Sequence, residues 1–280
     1  MVAEIRVDEA LVEEYQRNGA VLVKGVFDNK LVEKVRRGID KNLKTPSKYG
    51  ESLKARDGEG AYFDDYCNWQ RIQEFREYVF ESPAASLAAQ FMRSKEVSFY
   101  HEHVLNKEPG TSKKTPWHHD QAYYPIDGHQ VCSLWMPVDP IPKETCVKFV
   151  AGSHLWPKWF HPKKFASENN YPLRSDEVKD GGCSRTYHDV PDLEIESGKW
   201  PILQWECEPG DVIVFHMRSV HGAEGNRSSV NHRRVLSTRW LGDDAVLASR
   251  PWEVSPPITG GLQLGQRVVC DTFPLVYRRN

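Results

Sequence analysis

The 280-residue sequence has no apolar run of the roughly 20 residues a membrane-crossing helix needs, and its opening MVAEIRVDEA lacks the basic and apolar regions of a secretion signal. It also lacks an excess of either charge: 37 lysines and arginines stand against 39 aspartates and glutamates, the two signs are interspersed, and the formal net charge is −2. No electrostatic footprint for nucleic acid or an anionic membrane follows, so the expectation is a soluble, cytoplasmic chain whose partner is a small molecule. Cysteine is sparse, and Cys67, Cys132, Cys146, Cys183, Cys207 and Cys270 contain no C-x-x-C pair. Neither a structural zinc site nor a disulfide framework is indicated, and buried reduced thiols are expected. Internal repeats and low-complexity tracts are absent, and the length suits one large domain over 1–280.

What is present is a change of period along the chain. Asp8 can cap a short helix carrying Leu11 and Tyr15 and stopped by Gly19, after which AVLVKGVF has the β-branched content of a strand. Asp28 can cap a second helix with Leu31, Val35 and Ile39 on one face, and Ser82-Pro83 supplies an N-cap and a first-turn proline for AASLAAQFM. Past Ser94 the period becomes two: in EVSFYHEHVL, Val97, Phe99, His101, His103 and Leu105 alternate with Ser98, Tyr100, Glu102 and Val104. Further candidate strands QVCSLWMPV, VKFV, ILQWEC, DVIVFHM and RRVLSTRW are separated by segments rich in Pro, Gly, Asp and Lys. These features predict a helical part over about 1–95 and an antiparallel sandwich or jelly roll over about 96–245, mainly β with flanking helices. The polar, weakly periodic segment over about 156–200 predicts a lid-like excursion across one end of the barrel.

The stretch WHHDQAYY, residues 117–124, places two imidazoles and a carboxylate side by side. On a strand, residues i and i+2 share a face, so His118 and Asp120 can converge while His119 points away. A His-x-Asp pair with one distant histidine is the facial triad that holds non-haem Fe(II) and leaves positions open for other ligands. His221 is the best third member, because it stands before a glycine at the end of the apolar strand in EPGDVIVFHMRSVHGAEGN. His216 reads as packed or hydrogen-bonded, His154 as support for a turn, and His129, His161, His188 and His232 as solvent-exposed. His101 and His103 share a strand face and could border the same cavity, with no carboxylate on that face to complete a ligand set. The zinc patterns H-x-H-x-D-H and H-E-x-x-H are absent. A 2-oxoglutarate cosubstrate needs a cation for its far carboxylate, and Arg233 and Arg239 share a face of NHRRVLSTRW, with Arg234 on the other as an expected surface ion-pair residue.

In order and spacing, NGAVLVKGVF, LNKEPGTSKKTPWHHDQAYYP, VCSLWMPVDPIP, FVAGSHLW and EPGDVIVFHMRSVHGAEGNRS leading into RRVLSTRW resemble the phytanoyl-CoA dioxygenase (PhyH-like) family of Fe(II)/2-oxoglutarate-dependent oxygenases over nearly the whole chain. The resemblance implies a double-stranded β-helix (jelly-roll, cupin-like) core, with Fe(II), 2-oxoglutarate and O2 as cofactor and cosubstrates. It implies Fe(II) on His118, Asp120 and His221, the C5 carboxylate of 2-oxoglutarate on Arg233, and Trp135 and His103 bordering the cosubstrate. The implied activity is a dioxygenase that hydroxylates, or otherwise oxidises, an unactivated C–H of a small molecule while releasing succinate and CO2. Asp120 speaks for oxidation over halogenation, since related halogenases carry a small residue there. Two positions depart from the family pattern: Ala223 stands where some members have a hydroxyl residue, and no counterpart of a cosubstrate-contacting lysine is identified. Substrate contacts are expected from Gln121, Tyr123, Tyr124 and Arg218, with the basic and aromatic WPKWFHPKKF either joining them or forming a solvated surface. A cupin-type metalloenzyme that does not use 2-oxoglutarate is a competing reading, opposed by Arg233; a non-catalytic metal- or ligand-binding sensor is another, opposed by the complete triad.

Overall fold

The computed structural model of the chain describes residues 3–174, 185–191, 193 and 198–279. Helix α1 (Glu9–Asn18) starts where Asp8 Oδ1 accepts the Ala10 N–H at 3.0 Å and stops at Gly19, whose φ is 78°. A side chain there would be strained and would also meet the His154 ring, the nearest atom lying 2.3 Å from an added Cβ. Helix α2 (Asn29–Lys44) is capped by Asp28, which accepts the Leu31 N–H, and it buries Val32, Val35 and Ile39; Leu31, expected on that face, is half-buried beside it. Helix α3 (Gln73–Glu81) was not foreseen, although Phe75, Tyr78 and Val79 have the i, i+3, i+4 spacing of its buried face. Helix α4 (Ala84–Met92) begins one residue after Pro83, and the Ser82 hydroxyl ties the two helices together by donating to the Tyr78 carbonyl and accepting the Ala84 N–H.

The rest is β-structure, and the strands of its two main sheets pair antiparallel. The larger sheet runs β1 (Ala20–Val23), β12 (Val212–His216), β7 (Val131–Pro137), β14 (Arg233–Leu241), β4 (Glu96–Lys107), β3 (Tyr62–Tyr66) and β2 (Glu51–Leu53), with β16 (Leu275–Arg278) also on β4. The smaller sheet runs β11 (Ile202–Leu203), β8 (Val147–Val150), β13 (His221–Ala223) and β5 (Thr115–His118). Short pairs β6 (Ile126–Asp127) with β15 (Val246–Leu247) and β9 (Trp159–Phe160) with β10 (Tyr187–His188) complete it. The helices cover the outer face of the large sheet, burying Val32, Phe75, Leu87 and Phe91 against Leu134, Leu236 and Trp240. Between the sheets, Trp135, Phe149, Ile213, Phe215 and Val235 form a second core. This is a mainly β jelly roll with flanking helices, and the second core is the floor on which the site is built.

One face assignment needs correction. Between Arg239 and Trp240 the partner on β4 jumps from His101 to Phe99, leaving Tyr100 unpaired in a bulge. A bulge reverses the alternation beyond it. Val97 and Phe99 therefore join Val104 in the helix-side core, Tyr100 packs near Tyr124 and Phe273, and only His101, His103 and Leu105 line the space between the sheets. Cysteines that are distant in sequence also meet: the buried Cys146 and Cys207 have their sulfurs 3.7 Å apart as free thiols, while Cys183 lies outside the described residues. Among the described residues, no helix is long and apolar enough to cross a membrane.

On the helix side of the bulge, the buried Glu102 carboxylate accepts the backbone N–H groups of Asn68 and Trp69. Burial nevertheless pushes its pKa up to about 7. Because the folded value lies above the unfolded one, its contribution to stability is complete in acid below about pH 4.5 and is lost as pH rises through about 7. The expected result is a melting-temperature difference, wild type minus Glu102→Gln, that shrinks between about pH 5 and about pH 8, read by thermal denaturation of both proteins at both pH values.

Candidate metal centre and active-site cavity

Strand β5 delivers His118, and β13 delivers His221 directly opposite it in register. Strand β5 ends at His118, and a 3-10 turn, Asp120–Ala122, follows. His119 between them stays extended (φ −124°, ψ 139°), so the two-residue spacing still brings Asp120 back to the side of His118, and the Gln121 N–H pins the turn to the Met217 carbonyl at 2.9 Å. Asp120 Oδ1 lies 3.5 Å from His118 Nε2 and 3.6 Å from His221 Nε2. One ligand atom from each of the three residues lies within 4.8 Å of the others, and all three residues are buried.

Hydrogen bonds decide which atoms face inward. His118 Nδ1 sits 2.7 Å from the Pro116 carbonyl and His221 Nδ1 2.9 Å from the Ser219 carbonyl. A carbonyl can only accept, so each ring carries its proton on Nδ1 and turns the Nε2 lone pair to the centre. Burial, with His118 adding to it, lowers the His221 pKa to about 3, which keeps that ring neutral. On Asp120, burial works against the charge, but the Arg239 guanidinium, foremost among the opposing influences, holds the carboxyl well below its usual range. Its Oδ2 accepts from Ser133 Oγ at 3.1 Å and from Arg239 Nη2 at 3.2 Å, while Arg239 Nε donates to the Tyr124 hydroxyl at 3.0 Å. Two imidazole lone pairs and a carboxylate oxygen converging in a buried site repel one another unless a cation lies between them. Two nitrogens and one carboxylate on one face suit Fe(II). Replacing Arg239 by methionine should weaken Fe(II) binding roughly 10–100-fold, measured by competition with a chelator, because the carboxylate loses the partner that aims it.

Arg233, Ser237 and Arg239 project from one face of β14 into the same cavity. Arg233 is buried, donates through Nη1 to the carbonyls of Thr145 and Glu224, and has an Nε with no partner. Among the described residues no carboxylate pairs with it, and the Ser237 hydroxyl, four residues further along the same face of β14, is also buried without a partner. A buried guanidinium with no counter-ion and an orphaned hydroxyl fit the far carboxylate of 2-oxoglutarate. Trp135 and His103 stand across from Ser237 on the two neighbouring strands, and both line the cavity. Arg234 faces outward and pairs with Asp139 and Asp40.

Not every expected residue reaches the cavity. Tyr123 does, its ring edge-on to His118 at 5.6 Å and its hydroxyl donating to the Lys163 carbonyl, and Tyr124 lines it too. Gln121 does not: the 3-10 turn swings its amide away to the carbonyls of Ile126 and Gly128. Arg218 does not either, because Nη2 is engaged by the Trp156 and Lys158 carbonyls and its guanidinium lies over the Trp159 ring at 5.2 Å. Of WPKWFHPKKF, Lys163 and Phe165 line the cavity, as does Tyr171 beyond it; residues 175–184, 192 and 194–197 of the expected excursion lie outside the described residues. His216 is buried against the His129 carbonyl, as expected of a packed or hydrogen-bonded histidine, and His154, expected to support a turn, is buried against the Gln16 carbonyl. Tyr62, Asp64, Tyr66 and Glu51 were missed, since YFDDY was not recognised as a strand. Lys107 was missed as well: it is buried behind the wall, its Nζ 2.8 Å from the Glu224 carbonyl and 5.0 Å from the centre of the Tyr62 ring.

A jelly roll in which two histidines and an aspartate converge in the same cavity as a buried arginine that has no carboxylate partner among the described residues defines a non-haem iron, 2-oxoglutarate-dependent oxygenase. Residues 15–235 match the model of the phytanoyl-CoA dioxygenase (PhyH) family, and the chain belongs to that family. A probable phytanoyl-CoA dioxygenase of Caenorhabditis elegans is 24% identical, the match covering 82% of this chain and 74% of that protein. Two solved structures share the fold over almost the full length. The non-haem α-ketoglutarate-dependent epimerase SnoN from nogalamycin biosynthesis has a TM-score of 0.71 at 23% identity, covering 96% of this chain and 98% of that one. The non-haem α-ketoglutarate-dependent carbocyclase SnoK from the same biosynthesis has a TM-score of 0.72 at 22% identity, covering 97% of both. EctD from S. alaskensis, solved with 2-oxoglutarate and 5-hydroxyectoine, has a TM-score of 0.65 at 15% identity, covering 98% of this chain and 88% of that one.

Proposed function

We propose that this oxygenase hydroxylates, or otherwise oxidises, an unactivated C–H bond of a small molecule held in the cavity above His118, Asp120 and His221. The observation that carries the reading is Arg233, a buried guanidinium without a carboxylate among the described residues, lining the same cavity as the triad. Fe(II) and 2-oxoglutarate, when bound, supply the oxidant: O2 is consumed, 2-oxoglutarate becomes succinate and CO2, and one oxygen atom is made available to the substrate. His118, Asp120 and His221 would hold the metal on one side, leaving its other side to the cavity. Arg233 and Ser237 would bind and orient the cosubstrate, with Trp135 and His103 walling it in. Phe165 and Tyr123, which pack edge-on against His118, would exclude water from the metal's near side.

SnoN is described as an epimerase and SnoK as a carbocyclase, so the fold accommodates more than one outcome at the attacked carbon. The test is a small-molecule screen read as succinate release that requires both Fe(II) and 2-oxoglutarate, with the product then analysed for a new hydroxyl. Oxygen uptake with Fe(II) that proceeds at the same rate without 2-oxoglutarate would sink this reading in favour of a cupin-type enzyme. Cosubstrate binding with no succinate from any compound would favour a sensor.

A further inference from the structure

The outer part of the cavity carries charge that neither the metal nor the cosubstrate accounts for. Strands β2 and β3 set Glu51 directly opposite Asp64, and both side chains line the cavity. Like charges directly opposite each other across a sheet are destabilising. Asp64 is not relieved by solvent, because its side chain is only 9% exposed, and its one ion-pair neighbour among the described residues is the His103 ring at 3.5 Å. Glu51, exposed at the cavity mouth, has no cationic partner there, and partial burial followed by the charge of Asp64 raises its pKa. The cationic side chains deeper in are already committed, Arg239 to Asp120 and Arg233 to the proposed cosubstrate carboxylate, which leaves Lys163 as the remaining cation among the lining residues.

A second, independent feature points the same way. His101, buried and lining the cavity, has Nδ1 3.0 Å from the Glu102 carbonyl, so its proton sits on Nδ1 and its Nε2 is an acceptor. That Nε2 is buried with no partner. A buried acceptor without a donor calls for an N–H or O–H from a ligand. Around these acceptors stand π-faces: Tyr66 stacks on Tyr49 with ring centres 4.8 Å apart and lies edge-on to His101 and His103, while Tyr171 lines the same wall. Two carboxylates, an unpartnered imidazole nitrogen and aromatic rings together select for a cation that donates hydrogen bonds.

We propose that Glu51 and Asp64, with the rings of Tyr66 and Tyr171, form a receptor for the ammonium group of an amine substrate, and that His101 Nε2, deeper in the same cavity opposite Arg239, accepts a second N–H or O–H of that substrate and so presents it to the iron site. The substrate class rests on the oxygenase reading; the receptor itself does not. The test measures binding to the Fe(II)- and 2-oxoglutarate-loaded protein under argon by calorimetry, with hexylamine, hexanol and hexanoate as probes of equal chain length. The expected order is hexylamine tightest, by about tenfold over hexanol, with hexanoate weakest. In Glu51→Gln and Asp64→Asn the hexylamine-to-hexanol ratio should fall several-fold, and in the double variant it should approach one. The ratio is taken within each protein, so a general loss of folding, which weakens both probes, does not imitate the effect. Hexanoate binding tighter than hexylamine to the wild type, or an unchanged ratio in the double variant, overturns the receptor. Succinate formation is followed separately. Amine selectivity without iron-dependent succinate from any amine removes the oxygenase reading and leaves the receptor standing, whereas succinate formation together with a preference for carboxylates removes the receptor alone.

Discussion

His118→Ala, Asp120→Ala and His221→Ala should each abolish stoichiometric Fe(II) binding and reduce iron-dependent succinate formation by well over the roughly 10–100-fold expected for loss of a supporting residue. Each supplies one of the three candidate ligand atoms, which lie within 4.8 Å of one another in a buried site, and no other such cluster occurs among the described residues. His119→Ala, one position away, should keep its iron. The His119 ring is buried on the other side of the chain, between Trp159 and Phe160, with Nε2 accepting the Phe160 N–H at 3.3 Å. Burial, with Arg218 adding to it, lowers its pKa to about 3, so the ring accepts that bond as a neutral group. The alanine variant strands a buried N–H and opens a void, costing about 1–3 kcal/mol of stability and lowering the melting temperature while iron remains bound. Metal analysis after gel filtration separates the two behaviours, and iron lost from the His119 variant but kept by the His118 variant would reverse the ligand assignment.

The second large effect is expected at Arg233. Arg233→Gln should raise the dissociation constant for 2-oxoglutarate about a hundredfold, as expected when a charged, bidentate-capable donor facing a carboxylate in a buried site is removed. Arg233→Lys should recover only part of the loss, because a single ammonium cannot reproduce the planar fork. The readout is the metal-to-ligand charge-transfer absorption of the anaerobic Fe(II) complex titrated with 2-oxoglutarate. At saturating cosubstrate most of the turnover rate should return, the signature of lost binding rather than lost chemistry. Unchanged 2-oxoglutarate affinity in Arg233→Gln would assign the far carboxylate to another residue. Ser237→Ala removes only the neutral hydroxyl and should have a several-fold effect.

Much of this centre is legible along the chain because its parts are short-range. The pairing of His118 with Asp120 needs only two-residue spacing in extended backbone, and it survives even though Asp120 begins a 3-10 turn, since His119 remains extended. Arg233, Ser237 and Arg239 share a face for the same reason, and the caps at Asp8 and Asp28 work through hydrogen bonds to residues two or three positions away. Gln121 and Arg218 were misplaced because proximity in sequence to a ligand says nothing about where a chain turns next. The turn at Asp120–Ala122 sends one into the wall, and the carbonyls of Trp156 and Lys158 hold the other outside it. The split of the β4 face at Tyr100 is invisible in EVSFYHEHVL, because a bulge is set by the register of the partner strand.

The sequence by itself determined the kind of chemistry: its ligand types, their local spacing and the spare arginine depend on backbone period and side-chain identity, which are local properties. Only the tertiary structure decided what surrounds that chemistry. It brought His221 across from His118 over about a hundred intervening residues, oriented both rings through the carbonyls of Pro116 and Ser219, and tethered Asp120 to Arg239. It also folded Glu51 and Asp64, from a part of the chain that gave no hint of a site, into the wall of the same cavity. Those placements come from strand pairing between distant segments, whose register is fixed by burial of whole sheet faces rather than by any motif the segments carry.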